Sequence, residues 1–192
     1  QRALFLSLRE DSDDALWAPF EAPVLPTGNV AAAAKATRQW LGLGEGKNDF
    51  ESYRKAVEAK GILVFRTNGY NGPWQIAKES PVAGFALYDA QCPVIVVKKM
   101  ATDAPQAFTL MHELAHVAHD LTAEAPFFID DLDRADQDAI EERADRIAQE
   151  ALIPAQSWEG AQVRQTLSTE DAFAFANEIG VHPAVVAGRL RF

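Results

Sequence analysis

The pattern of apolar and polar positions changes period near Met100, which predicts a fold that contains both a sheet and helices. Before Met100, three short apolar runs are rich in Val, Ile and Phe and are bounded by Gly, Pro, Asn or Asp, as β-strands are. Only five residues separate the last two runs, which favours an antiparallel hairpin. The runs cover residues 62–65, 82–88 and 94–97. We therefore expect a small, mostly antiparallel sheet.

Beyond this point the apolar residues recur with the period of an α-helix. The first helix has Leu or Val at intervals of four, three and four residues from Leu110, and Asp103 with Gln106 predicts a capping box at its start. A second helix carries an apolar stripe over residues 140–151 and ends before Pro154. The predicted class is α+β, with additional helices at both ends. Those helices are expected at residues 30–41, 49–60, 169–179 and 183–190.

Composition and charge indicate how the chain is divided into domains and which classes of protein are excluded. Two prolines and a glycine within residues 21–28 interrupt any upstream helix, so residues 1–29 are expected to form an arm or linker and residues 30–192 one domain. A net charge of −10 argues against direct binding of nucleic acid, and no apolar run approaches the ~18 residues of a membrane span. Cys92 is the single cysteine, which excludes an internal disulfide and favours a reducing, cytoplasmic compartment.

Three of the four histidines, His112, His116 and His119, fall within eight residues on the first predicted helix. His112 to His116 form an H-E-x-x-H pattern, whose spacing puts two imidazoles on one helical face, where they can share one Zn²⁺. Glu113 between them can take a proton from a water that attacks a carbonyl and deliver it to the leaving amine. The motif therefore predicts a zinc peptidase; the alternative is a metal-free helix with ordinary surface histidines.

A catalytic zinc generally takes three protein ligands, so a third ligand is needed. His119 lies about 10 Å along the helix axis from His112, too far to share the ion easily, and is expected to pack beside the site or support a ligand. The helical period favours Glu141 over Glu142, because the column that begins at Glu141 is mostly apolar and faces inward. A buried carboxylate needs a charge partner, which bound Zn²⁺ would supply.

Asp145 follows one turn after Glu141 on the same column. It is placed to accept the second N–H of a ligating histidine and so fix its tautomer. The alternative is that Asp145 pairs with Arg143 or Arg146 at the surface. Both interpretations are open from the sequence alone.

Four segments together resemble the ImmA/IrrE metallopeptidases over about residues 50–154, in both order and spacing. The resemblance implies a zincin-like α+β fold in which a small sheet packs on the H-E-x-x-H helix. It also implies that His112, His116 and Glu141 bind zinc and that Glu113 is the general base. Many members carry Asn where this chain has Asp145. The four segments are GFAL at 84–87, PVIVV at 93–97, FTLMHELAH at 108–116 with a histidine three residues later, and IEERAD at 140–145 followed by ALIP at 151–154.

The resemblance further implies a protein substrate, namely a helix-turn-helix transcriptional repressor or an antitoxin-like regulator. Residues 181–189 are similar to the tail of members with an N-terminal helix-turn-helix domain, so such a domain is expected before Gln1. Residues 120–150 hold eleven acidic residues and three arginines, which is most of the net charge. We expect an acidic rim beside the cleft that would attract a basic partner such as a DNA-binding repressor.

Other residues have two interpretations each. His182, before Pro183, is either an oxyanion stabiliser or a helix cap. Tyr70 and Tyr88 are either oxyanion donors or packing residues, and Trp74 either lines a substrate groove or covers the sheet edge. The leading functional hypothesis is a zinc endopeptidase. The alternatives are a metal-bound regulatory module with little peptidase activity and a structural domain with incidental histidines.

Overall fold

The computed structural model describes residues 20–44, 49–67, 79–127 and 135–191. Within these ranges the chain has eight helices and three strands, so the predicted α+β class is confirmed. No helix of these ranges is long and apolar enough to cross a bilayer. The helices are α1 (Val30–Leu41), α2 (Phe50–Glu58), α3 (Asp103–His119), α4 (Ala135–Leu152), α5 (Ala155–Glu159), α6 (Val163–Thr166), α7 (Thr169–Ile179) and α8 (Pro183–Arg189), and the strands are β1 (Leu63–Thr67), β2 (Gly84–Leu87) and β3 (Val94–Lys98).

The sheet has the order β1-β3-β2 and is mixed. β2 and β3 form the expected antiparallel hairpin, with Leu87 opposite Val94. β1 pairs with β3 in parallel, so the expectation of a mostly antiparallel sheet is wrong for this strand. The reason lies in β3, whose Ile95 and Val97 are fully buried. A strand this apolar takes the central position, and the connection from β1 to β3 exceeds the dozen residues that a parallel pairing requires.

Helix α3 packs across one face of the sheet and is the centre of the core. Its Leu110 and Leu114 are fully buried, and it contacts β2, β3, α2 and α4. The other face of the sheet carries a separate apolar cluster built on Leu63, Cys92 and Val94. Because other elements cover α3 on most sides, even polar residues of this helix are buried: Glu113 is 7% exposed and His116 is 2% exposed. The H-E-x-x-H residues thus lie inside the fold, between the sheet and α4.

The local signals at helix ends are partly confirmed. α1 spans the predicted residues, because the Asn29 side chain accepts a hydrogen bond from Ala32 N and Gly42 ends the helix with φ 69°. The capping box at the start of α3 is wrong: Thr102 is the N-cap, and Gln106 Nε2 donates to the Thr102 carbonyl at 3.0 Å. Asp103 is instead in the first turn, where its charge favours the helix dipole. The short helices α5 and α6 were not predicted.

Candidate metal centre

The two histidines of the motif and one glutamate of α4 direct their donor atoms at one point. His112 Nε2 lies 3.0 Å from His116 Nε2 and 3.1 Å from Glu141 Oε2, and His116 Nε2 lies 3.3 Å from Glu141 Oε1. These atoms all lie within 4.8 Å of one another, so the three residues could hold a metal ion. The helical period is the local cause, since residues four apart on α3 meet on the face that packs against α4.

A carboxylate supports each histidine through its other ring nitrogen. His112 Nδ1 lies 2.8 Å from Asp145 Oδ1, and His116 Nδ1 lies 2.9 Å from Asp120 Oδ2. An ionised carboxylate only accepts hydrogen bonds, so each Nδ1 donates. With Nδ1 as the donor, Nε2 is the ring nitrogen of each histidine that can bind a metal ion once its own proton is displaced. The Asp145 contact agrees with the first of the two interpretations from the sequence.

The charges of the centre are strongly coupled. Burial would lower the pKa of His112, but hydrogen bonds with Asp145 and Glu141 outweigh it and raise this pKa to about 10. Burial likewise opposes the shift at His116, where hydrogen bonds with Asp120 and Glu141 raise the pKa to about 9. The same two histidines, His112 first, hold the pKa of Glu141 well below its usual range. The cluster therefore keeps Glu141 anionic, as a metal ligand must be.

Glu113 lies beside the candidate ligands and under the edge of the sheet. Burial raises the pKa of its carboxyl to about 7, although His112 and His116 act in the opposite direction. Its Oε1 approaches Gly84 so closely that a Cβ added there would lie 3.2 Å away. The same Cβ would meet Thr109 Cγ2 at 2.5 Å and the Val96 carbonyl oxygen at 2.8 Å. Only glycine at position 84 lets β2 approach α3 this closely.

The donor set fits zinc. Two imidazole nitrogens and one carboxylate oxygen form a known catalytic zinc set with the fourth position left open. Ligands about 2.1 Å from a tetrahedral zinc lie ~3.4 Å apart, close to the observed separations of 3.0 to 3.3 Å. Hard, oxygen-only cations such as Mg²⁺ are disfavoured by two nitrogen donors.

Two further histidines that the sequence singled out do not join this group. His119 Nε2 is buried and has no hydrogen-bond partner in the part of the chain that the structure describes, so this nitrogen does not support a ligand. Burial lowers the pKa of His119. His182 is the N-cap of α8, where its Nδ1 accepts a hydrogen bond from Ala184 N at 3.1 Å.

The helix-cap interpretation of His182 is the one that these contacts show, and its oxyanion role stays a prediction. His182 lines a cavity of about 650 Å³ with Asp103, Ala104 and Ala107 of α3, and no candidate metal ligand lines this cavity. Ala107 lies about 7.5 Å along the helix axis from His112. Tyr88 packs half-buried against the core. Tyr70 and Trp74 lie outside the described residues.

The acidic stretch at residues 120–150 has two kinds of carboxylate. Asp120, Glu141 and Asp145 contact the histidines, and Glu150 pairs with Arg189 of α8. Glu142, with 72% of its side chain exposed, faces solvent as expected. Three of the acidic residues, Asp130, Asp131 and Asp133, lie outside the described residues. Four of the acidic residues that the structure describes thus have partners within the fold, and the acidic rim stays a prediction.

The geometry defines a class of protein. An H-E-x-x-H helix packed on a small sheet, with a carboxylate of the next helix beside the two histidines, is the arrangement of a zincin-like metallopeptidase domain. The sequence model of the IrrE N-terminal-like domain, Peptidase M78, matches residues 57–191. The chain belongs to this family, and the resemblance to the ImmA/IrrE proteins is confirmed. No curated protein has significant similarity to the chain.

Sequence reasoning missed two members of the site. Asp120, the partner of His116, follows it by four residues on the same helical face, and that spacing was a usable signal. Gly84 was noticed only as part of the family resemblance, because the close approach of Glu113 depends on tertiary packing.

Proposed function

We propose that the protein is a zinc-dependent endopeptidase that hydrolyses a peptide bond in a DNA-binding transcriptional repressor. In this proposal His112, His116 and Glu141 hold the zinc, and Glu113 is the general base. The observation that carries the proposal is the convergence of three donor atoms, two imidazole and one carboxylate, beside a buried glutamate. Membership of a metallopeptidase family supports the reaction class.

The chain's own residues have distinct roles in this reaction. Zinc would polarise the scissile carbonyl and lower the pKa of a water molecule at the site. The Glu113 carboxylate takes a proton from the attacking water and passes it to the leaving amine. Asp145 contacts His112 Nδ1 and Asp120 contacts His116 Nδ1, which would leave the two Nε2 atoms to hold the zinc. Burial of Glu113 keeps competing water away from the proton transfer.

The repressor as substrate is supported by the resemblance and by charge. The chain has a net charge of −10, and DNA-binding domains carry basic surfaces, so long-range attraction favours their encounter. A cytoplasmic site of action belongs to this proposal, because that is where such a repressor works. The single cysteine of the sequence, Cys92, is buried.

Metal content tests the first half of the proposal. Protein purified without chelator should hold about one zinc per chain by mass spectrometry of the metal. Glu141→Gln should lose it, whereas Glu142→Gln, the neighbouring and exposed carboxylate, should keep it. Equal zinc in the two variants would exclude Glu141 as a ligand, and wild type free of every metal would overturn the proposal.

Cleavage tests the second half. A helix-turn-helix repressor encoded beside this chain should be cut at one position by wild type and left intact by Glu113→Gln, with zinc content unchanged. The control variant is again Glu142→Gln, which should cut as wild type does. If the zinc-loaded protein leaves such repressors intact but binds one tightly, the domain is a metal-bound regulatory module instead. Slower cleavage at higher salt is expected if charge guides the encounter.

A further inference from the structure

Asp120 occupies an unusual position for a carboxylate. It follows the last residue of α3 and caps that helix, yet its side chain is only 5% exposed. Burial of an ionised carboxylate is costly unless both oxygens have partners. Asp120 has them: Oδ2 accepts from His116 Nδ1 at 2.9 Å, and Oδ1 forms an ion pair with the guanidinium of Arg143.

The two partners of Asp120 lie on different helices. His116 is on α3, and Arg143 is on α4 two residues after Glu141, the third candidate ligand. One buried carboxylate therefore connects both helices that supply donor atoms, at a point directly next to those atoms. The Arg143 side chain is 43% exposed, and its guanidinium contacts Asp120.

The carboxylate that contacts His112 is more exposed to water than Asp120 is. Asp145 is on α4 itself and is 39% exposed, so water screens its interaction with His112 Nδ1. Asp120 is nearly excluded from water, so its interaction with His116 is screened less. His116 is also the more buried histidine, with 3% of its side chain exposed against 16% for His112. The less screened of the two carboxylates, Asp120, thus holds the more buried of the two histidines, His116.

We propose that Asp120, held by Arg143, is a positioning residue of the metal centre. It fixes His116 in the tautomer and orientation that direct Nε2 at the metal, and it holds α4 at the distance from α3 that brings Glu141 to the same point. Arg143 acts only through Asp120. This inference rests on the proposed function in one respect, namely that His112, His116 and Glu141 bind zinc.

Metal affinity in the full chain is the readout, measured by competition with a chromogenic zinc chelator. Asp120→Ala should weaken zinc binding about 10- to 100-fold, the usual effect of removing such a partner. Arg143→Ala should weaken it less, and Arg143→Lys should recover part of the loss because it retains the charge. Arg146→Ala is the matched control: Arg146 is on the same helix, 62% exposed, and pairs only loosely with Glu142 at 3.7 Å. It should bind zinc as wild type does.

The double variant separates positioning from general stability. Because Arg143 acts through Asp120, Asp120→Ala with Arg143→Ala should bind zinc no more weakly than Asp120→Ala alone. Cobalt substitution adds a spectroscopic signature: the visible absorption of bound Co²⁺ should change in Asp120→Ala and stay unchanged in Arg146→Ala. A purely structural role would lower the unfolding midpoint of the metal-free protein without moving either quantity.

The outcomes are distinguishable. Wild type that binds no zinc overturns the proposed function and this inference with it. Wild type that binds zinc, with Asp120→Ala of equal affinity and unchanged cobalt spectrum, overturns this inference alone. If Asp120→Ala does not fold, the comparison of Arg143→Ala, Arg143→Lys and Arg146→Ala decides, and equal affinities among the three refute the proposal.

Discussion

Gly84→Ala is the substitution whose effect follows most directly from the geometry. The new Cβ would lie 2.5 Å from Thr109 Cγ2 and 2.8 Å from the Val96 carbonyl oxygen, where carbon contacts are normally about 3.5 Å or more. β2 must therefore move away from α3 by roughly 1 Å, or the neighbours must distort. The Val96 oxygen belongs to the backbone of the central strand and cannot turn aside as a side chain can.

The expected magnitude combines two opposing effects. Overpacking of a well-packed core costs about 1–3 kcal/mol, and the lower entropy of the unfolded chain with alanine returns about 0.4–1 kcal/mol. The two ranges leave a net loss of about 0–2.6 kcal/mol. Because two contacts lie below 3.0 Å, we expect ~1–2 kcal/mol, which lowers the thermal midpoint by roughly 2–8 °C for a chain of this size. The rate of cleavage by the folded variant should also fall, because β2 moves relative to the Glu113 carboxylate.

Urea unfolding of the metal-free protein measures the effect, with Gly188→Ala as the control. Gly188 lies within α8 and a Cβ there meets no atom within 4 Å, so helix propensity predicts a gain of about 0.5–1 kcal/mol. Adding Thr109→Ser to Gly84→Ala removes the methyl group at 2.5 Å and should restore part of the loss. Gly84→Ala as stable as wild type, with the control behaving as expected, would refute the reasoning.

Three further substitutions or treatments have defined outcomes. Leu110→Ala, at a fully buried position of α3, should cost about 3–5 kcal/mol by urea unfolding, whereas Leu167→Ala, 67% exposed, should change stability by less than ~0.5 kcal/mol; similar values for the two would contradict the core assigned to α3. Glu150→Ala leaves Arg189, 10% exposed, without its charge partner and should cost ~3–5 kcal/mol in the same assay, against at most about 1 kcal/mol for Glu142→Ala on the same helix. Removing metal with a chelator should lower the thermal midpoint of wild type and leave that of Glu141→Gln unchanged; an equal fall in both would mean that the metal binds elsewhere.

The elements that the sequence predicted best have their determinants within a few residues. α1 begins and ends as expected because Asn29 and Gly42 provide a side-chain cap and a left-handed residue at its two ends. α7 also has the predicted bounds, with Ser168 as a cap. The parallel pairing of β1 with β3 was not predictable in this way, because it depends on which strand the rest of the fold buries most completely.

In the candidate site, too, nearby residues determine some features and tertiary packing determines the others. His112 and His116 are placed by the period of one helix, and the period of α4 was enough to favour Glu141 over Glu142. Arg143 was weighed as a partner of Asp145, but it binds Asp120 instead. That choice depends on how α4 crosses the end of α3, which is a property of tertiary packing that no local pattern contains.

The mixed sheet also has a consequence for the order in which the chain folds. Leu87 and Val94 of the hairpin are seven residues apart in sequence, whereas Leu63 and its parallel partner Val94 are separated by thirty-one. Closing the longer loop costs more entropy, so we expect β2 and β3 to pair before β1 docks on them. Gly84 is on the early hairpin and the H-E-x-x-H helix packs on it, so the half of the molecule that carries the candidate chemistry can assemble before the sheet is complete.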